Sequence, residues 1–381
     1  MRLVVAPDSF KGSLDAAGVA AAIAAGLRRV WPEAQVLQVP LADGGEGTLA
    51  AVLGRGGRRR HAKVRGATGS LRRVAWGEVP WAGGRAALLE VAQVVPLTDA
   101  NALARPVTQR DTRGLGELVR KVLDAGHRHL LFALGGSSTN DGGAGLLQAL
   151  GVELRNAAGQ AIEPTPEGLA QLASVGVVKL DPRLAECELT VLSDVTNPLC
   201  GERGATAIFG PQKGVAADAL EALDRCLARY ATHCETALSR KAQHLPGAGA
   251  AGGLGFALQL LGARLNSGAE AVADLVGLDA ALSGADWLFT GEGRSDRQTL
   301  LGKTPMIAAQ RAARLGVPAV LISGGIDRDT LPHLHRHFVA CFALPFGPMP
   351  LDQAMAEAAA LLSATAAEVA QLIAAARPRS V

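Results

Sequence analysis

Glycine recurs along this chain beside groups that can carry charge or hold a proton. Asp8-Ser9-Phe10-Lys11-Gly12-Ser13 opens the series, and Asp43-Gly44-Gly45-Glu46-Gly47-Thr48 follows it. The longest member is Gly135-Gly136-Ser137-Ser138-Thr139-Asn140-Asp141-Gly142-Gly143. Next come Ser193-Asp194-Val195-Thr196-Asn197-Pro198, Gly210-Pro211-Gln212-Lys213-Gly214 and Gly252-Gly253-Leu254-Gly255. The series closes with Gly291-Glu292-Gly293-Arg294-Ser295-Asp296 and, shortly after, Gly302-Lys303-Thr304-Pro305. Glycine lets backbone N–H groups approach and cradle phosphate oxygens. Carboxylates beside such a cradle can hold Mg2+ or accept a hydroxyl proton. One Gly–Asp–Gly segment is usually a turn. Turns have no use for a repeated supply of Asp beside Lys or Arg, so the series as a whole points to the handling of phosphate.

Several familiar patterns fail. Gly302-Lys303-Thr304 looks like the close of a Walker A loop, but Arg297 stands where its first glycine belongs. Gly247, Gly249 and Gly252 match the letters of the dinucleotide fingerprint, yet they follow His244-Leu245-Pro246, which is not a strand. The protein-kinase set of glycine-rich loop, catalytic loop and DFG is missing. His333, His335 and His337 form a run without Cys or carboxylate and read as a solvated segment. The basic run from Arg55 to Arg65 reads as the solvated face of a strand.

The composition narrows the class further. Of 381 residues, 49% are apolar and 19% charged, which is ample for a core and excludes a disordered chain. A net charge of +3 and only 3% aromatics argue against a nucleic-acid partner. The N-terminal apolar run is too short for a secretory signal, and no uninterrupted apolar stretch approaches the ~20 residues of a membrane span. Five scattered cysteines without a CxxC pair read as reduced thiols. The expectation is a cytoplasmic enzyme with no membrane partner.

The motifs need elements to hold them. A strand at 3–6, a turn at 7–12, an amphipathic helix at 14–30 and a strand at 36–39 make a βαβ beginning, with Ser13 or Asp15 able to cap the helix. The far end has the same grammar. Strands are expected at 287–290, 318–322 and 338–343, with a helix at 305–315 and a final helix from about 351 to 376. Between them, 58–65, 72–78 and 85–91 alternate polar and apolar residues and read as antiparallel strands. Helices at 115–123, 144–150 and 217–238 and buried strands at 130–134 and 189–192 complete the middle. A short βαβ beginning cannot build its own sheet. Both termini are therefore expected in one α/β domain with a parallel sheet, residues 1–70 plus 285–381, and residues 71–284 in an inserted mixed α/β domain with antiparallel strands.

With those motifs on the page, the chain resembles the bacterial glycerate kinase family over essentially its whole length. The order Gly135-Gly136-Ser137 to Gly143, then Asp194 to Leu199, then Gly291 to Asp296 carries the likeness. Ser295 and Arg297 depart from the family, where an aliphatic and a small residue are usual. The resemblance implies two domains, one Rossmann- or flavodoxin-like, with the active-site cleft between them. It also implies ATP-dependent phosphorylation of glycerate, commonly D-glycerate to 2-phosphoglycerate.

In-line phosphoryl transfer demands positioning and charge more than covalent chemistry. Lys11 is expected on a phosphate or the substrate carboxylate. Asp8, Ser9, Asp43, Arg294 and Lys303 are expected around the substrate, and Glu292 and Asp296 at Mg2+. Gly135, Gly136, Ser137, Ser138, Thr139, Asn140 and Asp141, with Lys213, Gly252 and Gly253, are expected to hold the cofactor. Asp194 is expected to be the general base and Asp296 its rival, because the cations around Asp296 suit metal or phosphate better than proton abstraction. Two other readings stand: a kinase for another small hydroxy acid, and a non-catalytic nucleotide- or sugar-phosphate-binding regulator. The reading leaves room for a homodimer.

Overall fold

The computed structural model describes residues 1–81, 84–344 and 347–376. β1 (Arg2–Val5) opens the chain, and its Leu3, Val4 and Val5 are fully buried, as in a strand covered on both faces. α1 (Ala16–Val30) follows, capped by Asp15, whose Oδ1 accepts from the Gly18 N–H at 2.7 Å. Its Val19, Ala20, Ile23 and Leu27 turn into the core, while Arg28 and Arg29 complement the helix dipole in the last turn. β2 (Gln35–Gln38) then pairs with β1 in parallel.

The middle of the chain turns back on itself. β3 (Arg58–Arg65), β4 (Leu71–Trp81) and β5 (Gly84–Glu90) form an antiparallel meander, as their alternation required. β3 is the edge strand and presents Arg58, Arg59 and Lys63 to solvent or its margin, which blunts edge pairing. α2 (Arg113–Asp124) leads to the buried β6 (His129–Ala133), and β7 (Glu188–Leu192) lies parallel beside it. α3 (Leu220–Leu238) and α4 (Leu254–Leu260) precede β8 (Arg264–Asn266). The resulting six-stranded mixed sheet has the order β8-β7-β6-β5-β4-β3. Leu115 and Leu118 of α2, Tyr230 of α3 and Phe256 of α4 pack into its core.

The chain then returns to β1. β9 (Trp287–Thr290), α5 (Thr304–Arg314), β10 (Ala319–Ser323) and β11 (Ala340–Ala343) complete a five-stranded parallel sheet, β11-β10-β9-β1-β2. Leu3 pairs with Trp287 on one side and Val36 on the other, so both ends of the chain share one sheet. The chain divides into two compact units. The first is Met1–Asp43, Ala50–Gly56 and Ala269–Val381, and the second is Gly44–Leu49 and Gly57–Gly268.

The expected final helix at 351–376 is two helices, α6 (Leu351–Ala356) and α7 (Ala358–Ala376). No sequence breaker separates them. Glu357 leaves helical geometry at ψ 5°, and the Ser13 hydroxyl donates to the Met355 carbonyl at 2.6 Å in that last turn. A side chain taking a helical carbonyl is a recognised cause of a kink. α7 is long and apolar enough to cross a membrane by length and composition, yet its Leu362, Ala366, Val369 and Ala370 lie in the core of the first unit.

Candidate active site

β1, β2, β9 and β10 are parallel, so their carboxyl ends face the same way, and ligands of open α/β sheets bind at those ends. The expected residues of the first unit fall there. Asp8 follows β1, Asp43 follows β2, and Glu292 to Asp296 follow β9. The Asp8 N–H donates to the Gly291 carbonyl at 2.8 Å, which ties the loops after β1 and β9 together. A Cβ on Gly291 would stand 1.9 Å from the Ile322 carbonyl oxygen, so only glycine permits this approach.

A cavity of about 390 Å3 opens at these strand ends. Its polar side carries Asp8, Lys11, Asp43, Glu292, Asp296 and Lys303, with Ser9 and Arg294 at its border. Asp8 Oδ1 accepts from the Ser9 N–H at 2.6 Å, and its Oδ2 accepts from the Thr304 hydroxyl at 2.9 Å. Burial, with the Asp43 carboxylate as the second cause, pushes the Asp8 carboxyl up to about 7. Lys11 Nζ lies 3.7 Å from Asp43 Oδ2, and that carboxylate holds the ammonium above its ordinary value. Lys303 Nζ stands 3.6 Å from Asp296 and 3.9 Å from Glu292. Glu292 is buried, which raises its pKa, and its Oε1 accepts from Thr299 Oγ1 at 2.6 Å and Ser295 Oγ at 3.0 Å. The unusual Ser295 is therefore a fixed donor to Glu292, and it also shares a hydrogen bond with Ser323 at 2.8 Å. Asp296 caps the short helix after it, accepting from the Gln298 N–H at 2.8 Å. Arg294 reaches outward to Asp327 at 2.7 Å.

The remaining expected residues belong to the second unit. Asp194 is exposed after β7, and its Oδ1 accepts from Ser267 Oγ at 2.8 Å and the Gly268 N–H at 2.9 Å. The long loop after β6 is built from within. Asp141 is fully buried and accepts from the N–H and hydroxyl of Thr112 and the N–H groups of Gly143 and Gly145. Lys213 is 2% exposed and donates to the Thr139 carbonyl at 2.7 Å and Ser137 Oγ at 3.1 Å. Burial lowers its pKa to about 7. Ser138 donates to the Val95 carbonyl, and Asn140 donates to Thr206. Gly252, with φ +68°, lies against this loop where a Cβ would come 2.1 Å from the Thr139 carbonyl, and Gly253 is buried beside Gly142.

The side chains of Asp141 and Lys213 are thus committed to the protein interior. Gly135 and Gly136 are the half-exposed part of the loop. Sequence reasoning also missed Arg110, buried at 1% exposure, which donates to the Ser138 and Lys213 carbonyls at 2.9 and 3.0 Å. It also holds the nearby Arg105 carbonyl, but these two partners lie 28 and 103 residues away in sequence, and no local pattern announces them.

The arrangement suits a metal that arrives with its ligand. Among the described residues no group of three or more His, Cys, Asp or Glu is arranged to hold a metal by itself. Mg2+ bound with substrate phosphates needs only one or two carboxylates, and the oxygen donors of Glu292 and Asp296 match that hard cation.

Comparison with known proteins decides the family. A sequence profile described as the glycerate kinase family matches residues 3–374. The chain belongs to the glycerate kinase family. It is 42% identical to a glycerate kinase of Bacillus subtilis (strain 168), with 98% of each chain aligned. A glycerate 2-kinase of Escherichia coli (strain K12) is 41% identical over 93% of each chain. A crystal structure of a candidate glycerate kinase 2 from Salmonella typhimurium LT2 superposes with a TM-score of 0.82 over 98% of both chains, at 42% identity. Membership makes the chain a phosphotransferase with an alcohol acceptor, in keeping with the cations and carboxylates gathered at the strand ends.

Proposed function

We propose that the chain transfers the γ-phosphoryl group of ATP, with Mg2+, to a hydroxyl of glycerate, taking D-glycerate to 2-phosphoglycerate in the cytoplasm. The observation that carries this reading is the cavity of the first unit, where Lys11 and Lys303 stand among Asp8, Asp43, Glu292 and Asp296. Such a set can neutralise phosphate charge, hold Mg2+ and orient a polyhydroxy acid within one site. Lys11 and Lys303 act on phosphate or the substrate carboxylate, with Arg294 at the rim. Glu292 and Asp296 hold Mg2+, and Asp8, Ser9 and Asp43 face the acceptor. The Gly135–Gly136 backbone serves the phosphate chain, with Ser137 to Asp141, Lys213, Gly252 and Gly253 keeping that loop in shape.

Asp194 is the proposed base, carried at the end of a buried strand. A second assignment has one observation in its favour: Asp8 lies in the cavity itself with a pKa raised to about 7, near the optimum for a general base. A coupled assay with D-glycerate, ATP and Mg2+, followed by NMR of the product, tests the activity and the phosphorylated hydroxyl together. Binding of ATP and glycerate without turnover would instead mark a regulator.

A further inference from the structure

The cavity of the first unit has two unlike sides. Beside the charged groups its lining includes the apolar Phe10, Leu344, Leu351, Ala354, Met355 and Ala358, four of them on α6 and the start of α7. Glycerate cannot use such a wall, because each of its three carbons bears oxygen. The cavity, about 390 Å3, lies within the ~300–1,000 Å3 range of sites for larger small molecules. Leu351 is 75% exposed on this wall, an apolar surface that a ligand would remove from water.

The wall is fastened to the cationic end. Ser13 Oγ donates to the Met355 carbonyl at 2.6 Å, and a Cβ on Gly12 would meet Met355 Cε at 2.9 Å. Both residues immediately follow Lys11. Gly12 and Ser13 thus hold the Met355 thioether beside the Lys11 segment, and a thioether packs well on a flat aromatic ring.

We propose that this wall takes the heteroaromatic base of the nucleoside triphosphate donor, with the phosphate chain running toward Lys11 and Lys303. The inference rests on the reading of the chain as a nucleotide-dependent kinase. It places the base in the first unit, on residues that, Phe10 apart, lie outside the glycine-rich loops.

Calorimetric titration with ADP and with pyrophosphate separates the base from the phosphates. Wild type should bind ADP at least about tenfold more tightly than pyrophosphate, the scale of burying one apolar group. Met355→Trp, which fills the wall, should weaken ADP by about tenfold or more and leave pyrophosphate unchanged. Leu351→Ser alters an exposed position that folding does not depend on, and should weaken ADP in the same sense. The KM for ATP should rise in both variants while that for glycerate stays the same. Equal affinity of wild type for ADP and pyrophosphate would overturn the base site, as would variants that shift glycerate and spare ADP. If wild type does not phosphorylate glycerate, the proposed function itself fails. If wild type is active and the variants bind ADP normally, only the base site fails.

Discussion

Asp8 shows how one side chain can be read twice. Its neighbours in sequence suggested a substrate contact, while its surroundings raise its pKa to about 7. If Asp8 accepts the hydroxyl proton, it must be ionised, so kcat/KM should fall as pH drops below about 7, and Asp8→Asn should lose both rate and that limb of the profile. If Asp194 is the base, Asp194→Asn should lose about 10²–10⁴-fold in rate while ATP still binds. A nearly wild-type Asp194→Asn enzyme would transfer the role to Asp8 or Asp296. Lys11 belongs to the same scale. Removing a charge-assisted contact to a phosphate or carboxylate should cut kcat/KM of Lys11→Ala by at least about tenfold. Steady-state kinetics at saturating Mg2+ would read the loss.

At the scale of elements, the loops matter through the space between them. The β1, β9 and β10 loops meet because Gly291 has no side chain beside the Ile322 carbonyl. Gly291→Ala should destabilise the protein by about 3 kcal/mol or more, since backbone must shift at a strand end. Chemical denaturation would measure it, and a change within about 0.5 kcal/mol would mean that the loops relax freely. Ser13 illustrates the same point. It was a reasonable cap for α1, but Asp15 does that work and the hydroxyl goes to Met355 instead. Ser295 was a departure from its family, and it became a donor to Glu292 through a contact only three residues long.

For the whole molecule, the half-buried Asp8 and the buried Lys213 set opposite pH dependences of stability. Asp8 has a raised pKa, so the folded state holds its proton more tightly than the unfolded chain. That contribution is full below the ordinary carboxylate range and is lost as pH rises toward about 7. Lys213 has a lowered pKa near 7, so between there and its ordinary value the unfolded chain binds more protons, and stability rises with pH. Lys213→Met, which keeps the stem, should therefore flatten the rise in Tm between about pH 7 and 10. Asp8→Asn should gain stability relative to wild type above pH 7, and the gain should shrink at pH 4. Thermal unfolding across that range reads both slopes, and parallel curves for wild type and Lys213→Met would refute the second.

The sequence by itself determined the family, the parallel strands at both ends and the antiparallel middle, because strand alternation and glycine-rich strand ends are local patterns. Asp8, Lys11 and Glu292 drew notice for that reason, each following the end of a strand. Tertiary structure alone decided what these groups face. Thr304 reaches Asp8 across 296 residues of sequence, and Arg110 fastens Lys213 across 103. Packing buried the side chains of Lys213 and Asp141 inside their loop, and it brought α6 and the start of α7 to the lining of a cavity. Exposure and cross-chain partners depend on how elements pack, and packing distance is not written in the spacing of residues along a chain.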